Sequence, residues 1–181
     1  MTTKNSKLKI AYWLVWITGY GSFFLGGLFL LIAIHFSIAP HHYDSMQLSS
    51  TMFSIEIADG AVQTSGKLSE APLWQVWMVF LQGLVIFTVI GLMCIYGMKI
   101  IQSVRNGRVF NTDNPKWFQR IGLGFLILTA LTFADVTVSG NVHQLELDLK
   151  MGYLLAALFA YILAEIFQEG NRLEEESKLT V

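Results

Sequence analysis

Charge is scarce in this chain. Asp, Glu, Lys and Arg make up 14% of its 181 residues, where a soluble domain carries roughly a quarter. The shortage is uneven, because no charged residue occurs from Ile10 to Tyr43. A helix in water needs one face that meets solvent, so such a run excludes a soluble globular protein. With 54% hydrophobic residues and a net charge of −1, a disordered tail and a basic nucleic-acid-binding domain are excluded as well. What remains is an integral membrane protein whose first partner is the lipid bilayer, with no direct contact to nucleic acid.

Chemistry-bearing patterns are missing too. The single cysteine, Cys94, lies in the apolar run Trp74–Tyr96. It permits no intramolecular disulfide and no thiolate cluster, and reads as a small apolar filler. There is no glycine-rich phosphate loop, no His-Glu-x-x-His and no nucleophile elbow. The reading is a protein without catalytic residues or a cofactor.

Crossing roughly 30 Å of hydrocarbon takes about 20 apolar residues in a helix. Four segments qualify, at about 10–36, 73–101, 117–134 and 151–167. The first follows Lys4, Lys7 and Lys9 but exceeds the roughly 7–15 apolar residues of a signal peptide, so it reads as a retained helix. Basic residues mark the cytoplasmic side. Lys4, Lys7, Lys9, Lys99, Arg105, Arg108, Lys116, Arg120, Arg172 and Lys178 fall on one side of this topology, against Lys67 and Lys150 on the other. The expected protein is therefore a multi-pass membrane protein, a single domain over 1–181 with both termini cytoplasmic.

Small residues recur where helices meet in lipid, at Ser22, Gly26, Gly27, Gly83, Gly91 and Gly97. These faces serve packing within one chain or between copies, and a homo-oligomer is one of the readings. Trp13, Trp16, Trp74, Trp77 and Trp117 lie near expected helix ends, where aromatic rings anchor at the interface.

Outside the bilayer, Phe53, Ile55 and Ile57 alternate with polar or small residues before Asp59-Gly60, and the pattern continues over Ala61–Thr64. Alternation broken by Asp-Gly predicts a β-hairpin. The expected β segment spans about 46–68, with a third strand at 145–149. The fold class expected is thus an all-α membrane protein, a four-transmembrane-helix bundle with a small extracytoplasmic hairpin or sheet.

All four histidines, His35, His41, His42 and His143, fall on the expected outer side. Neutral imidazole is a common metal ligand and titrates near neutral pH. They are the candidate residues for an external metal or pH sensor, although bland interfacial histidines fit the spacing better. Glu165 lies within the apolar end of the fourth helix, where a carboxylate by default marks function. Lys99 or Arg120 is its expected ion-pair partner. Asp135 reads as a residue at the outer end of the third helix. No span holds two acids spaced as a transport path.

Two stretches near the expected inner face carry more specific patterns. One runs Asn106-Gly107-Arg108-Val109-Phe110-Asn111, then Asn114 and Trp117-Phe118-Gln119-Arg120-Ile121-Gly122. The other runs Ala164-Glu165-Ile166-Phe167-Gln168-Glu169-Gly170-Asn171-Arg172-Leu173, then Glu174-Glu175-Glu176 and Leu179-Thr180-Val181. Together they resemble the bacterial family known as domain of unknown function 2975, over nearly the whole chain. One departure is Lys178, where the family tail more often has an acid. The resemblance implies a small four-helix inner-membrane protein without established activity, frequently encoded beside a helix-turn-helix regulator.

The residues themselves agree with a recognition surface. Gly107 permits a tight turn, Asn114 is the expected cap of the third helix with Pro115 at its first position, and Gly170 is the expected helix stop. Gly107, Arg108, Phe110, Asn114, Arg120, Glu165, Glu169, Gly170, Leu173, Leu179 and Val181 are the candidate partner-binding residues. The acidic tail would dock on a basic regulator or on Arg105, Arg108 and Lys116 of its own loop. The functional expectation is a non-catalytic sensory or regulatory protein acting with a cytoplasmic transcriptional regulator. The alternatives are a small transporter or channel subunit, with Glu165 on the path, and an extracytoplasmic metal or pH sensor.

Overall fold

In lipid, a backbone must satisfy its own hydrogen bonds, and uninterrupted apolar runs do so as helices. A computed structural model describes residues 3–43, 46–49, 55–57, 72–139, 142–147 and 149–179. Its long helices are α1 (Thr3–Ile38), α2 (Leu73–Arg105), α3 (Asn114–Phe133) and α4 (Met151–Leu179). Three of them, over Ser6–Ile38, Val76–Arg105 and Met151–Leu179, are long and apolar enough to cross a membrane. The expected third span is a helix of only 20 residues with Lys116 and Arg120 in its first two turns, and is not among these three. The expected fourth span continues 12 residues past position 167, to Leu179.

The chain forms two compact units, one of Met1–Ser22, Val89–Leu128 and Met151–Val181, the other of Phe23–Thr88 and Thr129–Lys150. In the second unit, Phe29, Ala33 and Phe36 of α1 are buried together with Val76, Val79 and Phe80 of α2. The Phe29 and Phe80 rings stand 4.7 Å apart, a separation at which tilted rings attract. Gly26 lets α2 approach closely, since a Cβ there would lie 3.3 Å from Cβ of Phe87. In the first unit, a Cβ at Gly19 would meet that of Cys94 at 2.8 Å. Cys94 fills a helix crossing, and the small-residue seam is thus used within one chain. Ala157, Ala160 and Ala164 turn a small-residue face of α4 inward, while Leu155, Leu158, Phe159, Ile162 and Ile166 are exposed.

The β structure differs from the expected one, and the fold class is corrected accordingly. The finding is a four-stranded antiparallel sheet in the order β2-β1-β3-β4, built from β1 (Met46–Ser49), β2 (Ile55–Ile57), β3 (Ala134–Ser139) and β4 (Val142–Leu147). Ile55–Ile57 pairs backward onto Met46–Leu48. The expected hairpin paired it forward onto Ala61–Thr64, and Asp59-Gly60 and that return strand lie outside the described residues. Leu48 and Ser49 pair with Val138 and Thr137, joining the two connecting segments into one sheet. The strand expected at 145–149 is shifted to 142–147. Asp135 belongs to β3 instead of a helix end, because the β-branched run Val136-Thr137-Val138 follows it at once and favours extended backbone.

Helix α3 thus passes into β3 without an intervening residue. Its last-turn carbonyls have no helical partner. One of them, that of Leu131, accepts a 2.6 Å hydrogen bond from Nε2 of Gln82 on α2.

Candidate functional site at the loop and the tail helix

The connection between α2 and α3 starts from a left-handed glycine. Gly107 has φ +75°, its N–H donates to the Val104 carbonyl at 3.1 Å, and the Arg108 N–H donates to that of Ser103 at 3.1 Å. This pair of bonds is a Schellman closure of α2. The Ser103 hydroxyl donates to the Arg108 carbonyl at 2.7 Å and locks the turn. Gly107 is placed where the sequence put it, at a tight turn.

Asn114 has a different role from the expected one. Asp113 is the cap residue of α3, since its carbonyl accepts the first helical bond from the Trp117 N–H at 3.1 Å. Asn114 is fully buried and its Nδ2 reaches back across the loop to the Val109 carbonyl, 2.7 Å away. Its Oδ1 is buried without a hydrogen-bond partner. The side chain is a clamp on the loop, not a helix cap.

The loop so held lies on α4. Gly170 is inside that helix, which continues to Leu179, so the expected helix stop is corrected. The Phe110 ring presses on Gly170, and a Cβ there would collide with Cε1 and Cδ1 of that ring. Phe167 stacks between two rings, with centroids 6.0 Å from Phe110 and 5.1 Å from Phe118. One residue beyond Gly170, Nδ2 of Asn171 donates to the Asn111 carbonyl at 3.2 Å. The two motifs singled out from the sequence are therefore in contact. The contact is made by aromatic rings and an amide, not by the pairing of tail acids with Arg105, Arg108 and Lys116 that the charges suggested.

Charges around the junction are arranged differently from expectation. Arg120 donates to the Tyr96 hydroxyl at 3.1 Å and covers its ring at 5.2 Å. Lys99 stands 5.7 Å from the Tyr96 ring and 5.9 Å from that of Trp117. Glu165 is exposed, and among the described residues its expected ion pair with either cation is not formed. Glu169 pairs with Arg172 at 2.6 Å, Arg172 with Glu176 at 3.6 Å, and Glu174 with Lys178 at 2.7 Å. The tail acids thus pair along α4. A groove nevertheless separates loop from tail, lined by Arg108, Phe110, Asn171, Glu174, Glu175 and Lys178. Leu173 and Leu179 are exposed on α4, and Val181 lies outside the described residues.

Of the histidines, His35 shares a 2.8 Å hydrogen bond with the Tyr43 hydroxyl, and its ring centroid is 6.0 Å from that of His42. His41 lies on the same 3-10 turn, Pro40–Tyr43. His143 is in β4, opposite Val138 in register. Among the described residues, no three His, Cys, Asp or Glu side chains are grouped to hold a metal ion.

Three helices of membrane-crossing length and composition define the class, a membrane protein. The chain belongs to the family described as "Protein of unknown function (DUF2975)", whose model matches residues 60–181 and so includes both motifs of the loop–tail junction. No curated protein and no solved structure matches the chain.

Proposed function

We propose that this is a non-catalytic regulatory protein of the bacterial inner membrane, which passes a signal to a cytoplasmic transcriptional regulator through the loop–tail junction. The observation that carries this reading is the contact of Phe110 with Gly170, which merges the two motifs into one surface. Around it stand the exposed charges of Arg108 and Glu175 and the apolar side chains of Leu173 and Leu179. A rigid loop held on a helix presents such groups in a fixed geometry, which lowers the entropy cost of binding.

The orientation belongs to the same proposal. The N-terminal part of α1, the 106–113 loop and the tail all lie in one compact unit. The ten cations assigned to the cytoplasmic side fall in that unit, and Lys150 falls in the other. That distribution supports two cytoplasmic termini, with the sheet as the sensing element on the opposite side.

Co-purification of the full-length protein in nanodiscs with a helix-turn-helix regulator from the same genome tests the reading. Capture by the wild type and loss of capture by Phe110→Ala and by Arg108→Glu are expected. Absence of association in every lipid composition, with the tail intact, would overturn it.

A further inference from the structure

A second concavity in the same unit has a composition of its own. It lies between the end of α2 and the start of α3, lined by Lys99, Gln102, Ser103, Asn106, Arg108, Asn111 and Trp117. Two of these side chains are cations and none is an acid. Gln102, Asn106 and Asn111 bring amide donors, and Trp117 an indole N–H. Oδ1 of Asn111 already accepts from the Asp113 N–H at 3.3 Å, which leaves its amide nitrogen as the side chain's free end. No ion pair is formed by Lys99 or Arg108 among the described residues, whereas Lys116 nearby is held by Asp113 at 3.6 Å.

We propose that this pocket binds a phosphate-bearing anion, presented by the headgroup of an anionic phospholipid. Convergent donors and cations without a competing carboxylate are the chemistry that phosphate oxygens require. The depth favours a lipid as the source. Lys99 is the first charged residue of α2 after an uncharged run from Leu73 to Met98, so it marks the height at which hydrocarbon ends. Tyr96 and Trp117, whose rings it approaches, are the residue types that anchor at headgroup level. Basic pockets beside transmembrane helices at this level take up anionic headgroups. Arg108 reaches the pocket because the left-handed turn at Gly107 and the two hydrogen bonds between Arg108 and Ser103 fold the loop back over the end of α2. This site does not depend on the regulatory reading.

Native mass spectrometry of the full-length protein with phosphatidylglycerol, phosphatidylcholine or inorganic phosphate tests it. The wild type is expected to retain phosphatidylglycerol over phosphatidylcholine. Lys99→Gln and Arg108→Gln are each expected to weaken that binding about fivefold, the scale for one cation near a lipid surface. A Lys116→Gln control removes the same single charge outside the pocket and is expected to bind as the wild type does. Phosphate binding lost in the pocket variants, without a lipid preference, would support the anion site with a soluble ligand as its source. Pocket variants that bind all three probes like the wild type, or a control that loses as much, would overturn the proposal. Among the described residues the exposed Arg108 side chain makes no hydrogen bond or ion pair, so Arg108→Gln alone keeps the test decisive if the Lys99 variant misfolds.

Discussion

The phenyl ring of Phe110 occupies the space that a side chain on Gly170 would need. A glycine inside a helix costs about 1 kcal/mol relative to alanine, and this one is retained in the middle of α4. The contact reverses the usual sign of a Gly→Ala change. Gly170→Ala is expected to destabilise the wild type, and to stabilise a Phe110→Ala background by up to about 1 kcal/mol. A double-mutant cycle of unfolding in detergent measures it; equal effects in both backgrounds would disprove the contact.

Asn114 holds the loop from within. Removing its amide takes from the Val109 carbonyl a part-buried hydrogen bond, of a kind that contributes about 0.5–1.5 kcal/mol. Asn114→Ala is expected to lower the unfolding midpoint and to speed proteolysis between Arg108 and Asp113. Asn114→Asp, which buries a charge at the same place, should be worse than Asn114→Ala. An Asp variant as stable as the wild type would contradict this.

Gly107 is required by its backbone alone, since nothing lies within 4 Å of a Cβ placed there. At φ +75° an alanine is strained whatever the space, and Gly107→Ala is expected to cost about 1 kcal/mol. Gly107→Asn should recover part of that loss, because asparagine tolerates the left-handed region. Hydrogen exchange at the Arg108 amide, whose bond closes the turn, is the direct readout.

Glycine in Asn-Gly after an apolar run has a local meaning, so the turn at Gly107 was legible in the sequence. Gly170 was not, because its use depends on a phenyl ring 60 positions away. Asn114 was misread as a cap for a related reason. Asp113 beside it is equally able to cap, and only the burial of Asn114 separates their roles. The sheet was half legible. Ile55–Ile57 alternates and is a strand, paired with Met46–Leu48, which the alternation did not announce; the forward partner expected across Asp59-Gly60 lies outside the described residues. The strand at Ala134–Ser139 was overlooked where the β-branched residues of Val136-Thr137-Val138 stood next to Gly140-Asn141, a turn dipeptide. The pairing of Glu165 failed because Tyr96 and Trp117 offer Lys99 and Arg120 aromatic faces near the lipid boundary, a competition invisible in charge counting.

Gln82 is a polar residue in an otherwise apolar stretch of α2. Gln82→Leu keeps the volume and removes the donor to Leu131, and is expected to cost about 0.6–1.7 kcal/mol, the range for interhelical hydrogen bonds in membranes. Its effect should appear as faster hydrogen exchange in Thr132–Asp135, at the helix-to-strand junction. Unchanged exchange there would show that the bond does not support the junction.

That junction has a mechanical meaning. Between Phe133 and Ala134 there is no joint: the last turn of a helix becomes the first pair of a ladder, Ala134 against Leu147. A loop absorbs rotation in the soft dihedrals of several residues, and here no loop residue stands between helix and strand. A twist of the final turn of α3 about its axis must arrive in β3 as a roll of the strand, and through Leu48 and Ser49 it must reach β1. The sheet and the helix end therefore share one degree of freedom where a linker would have given them two.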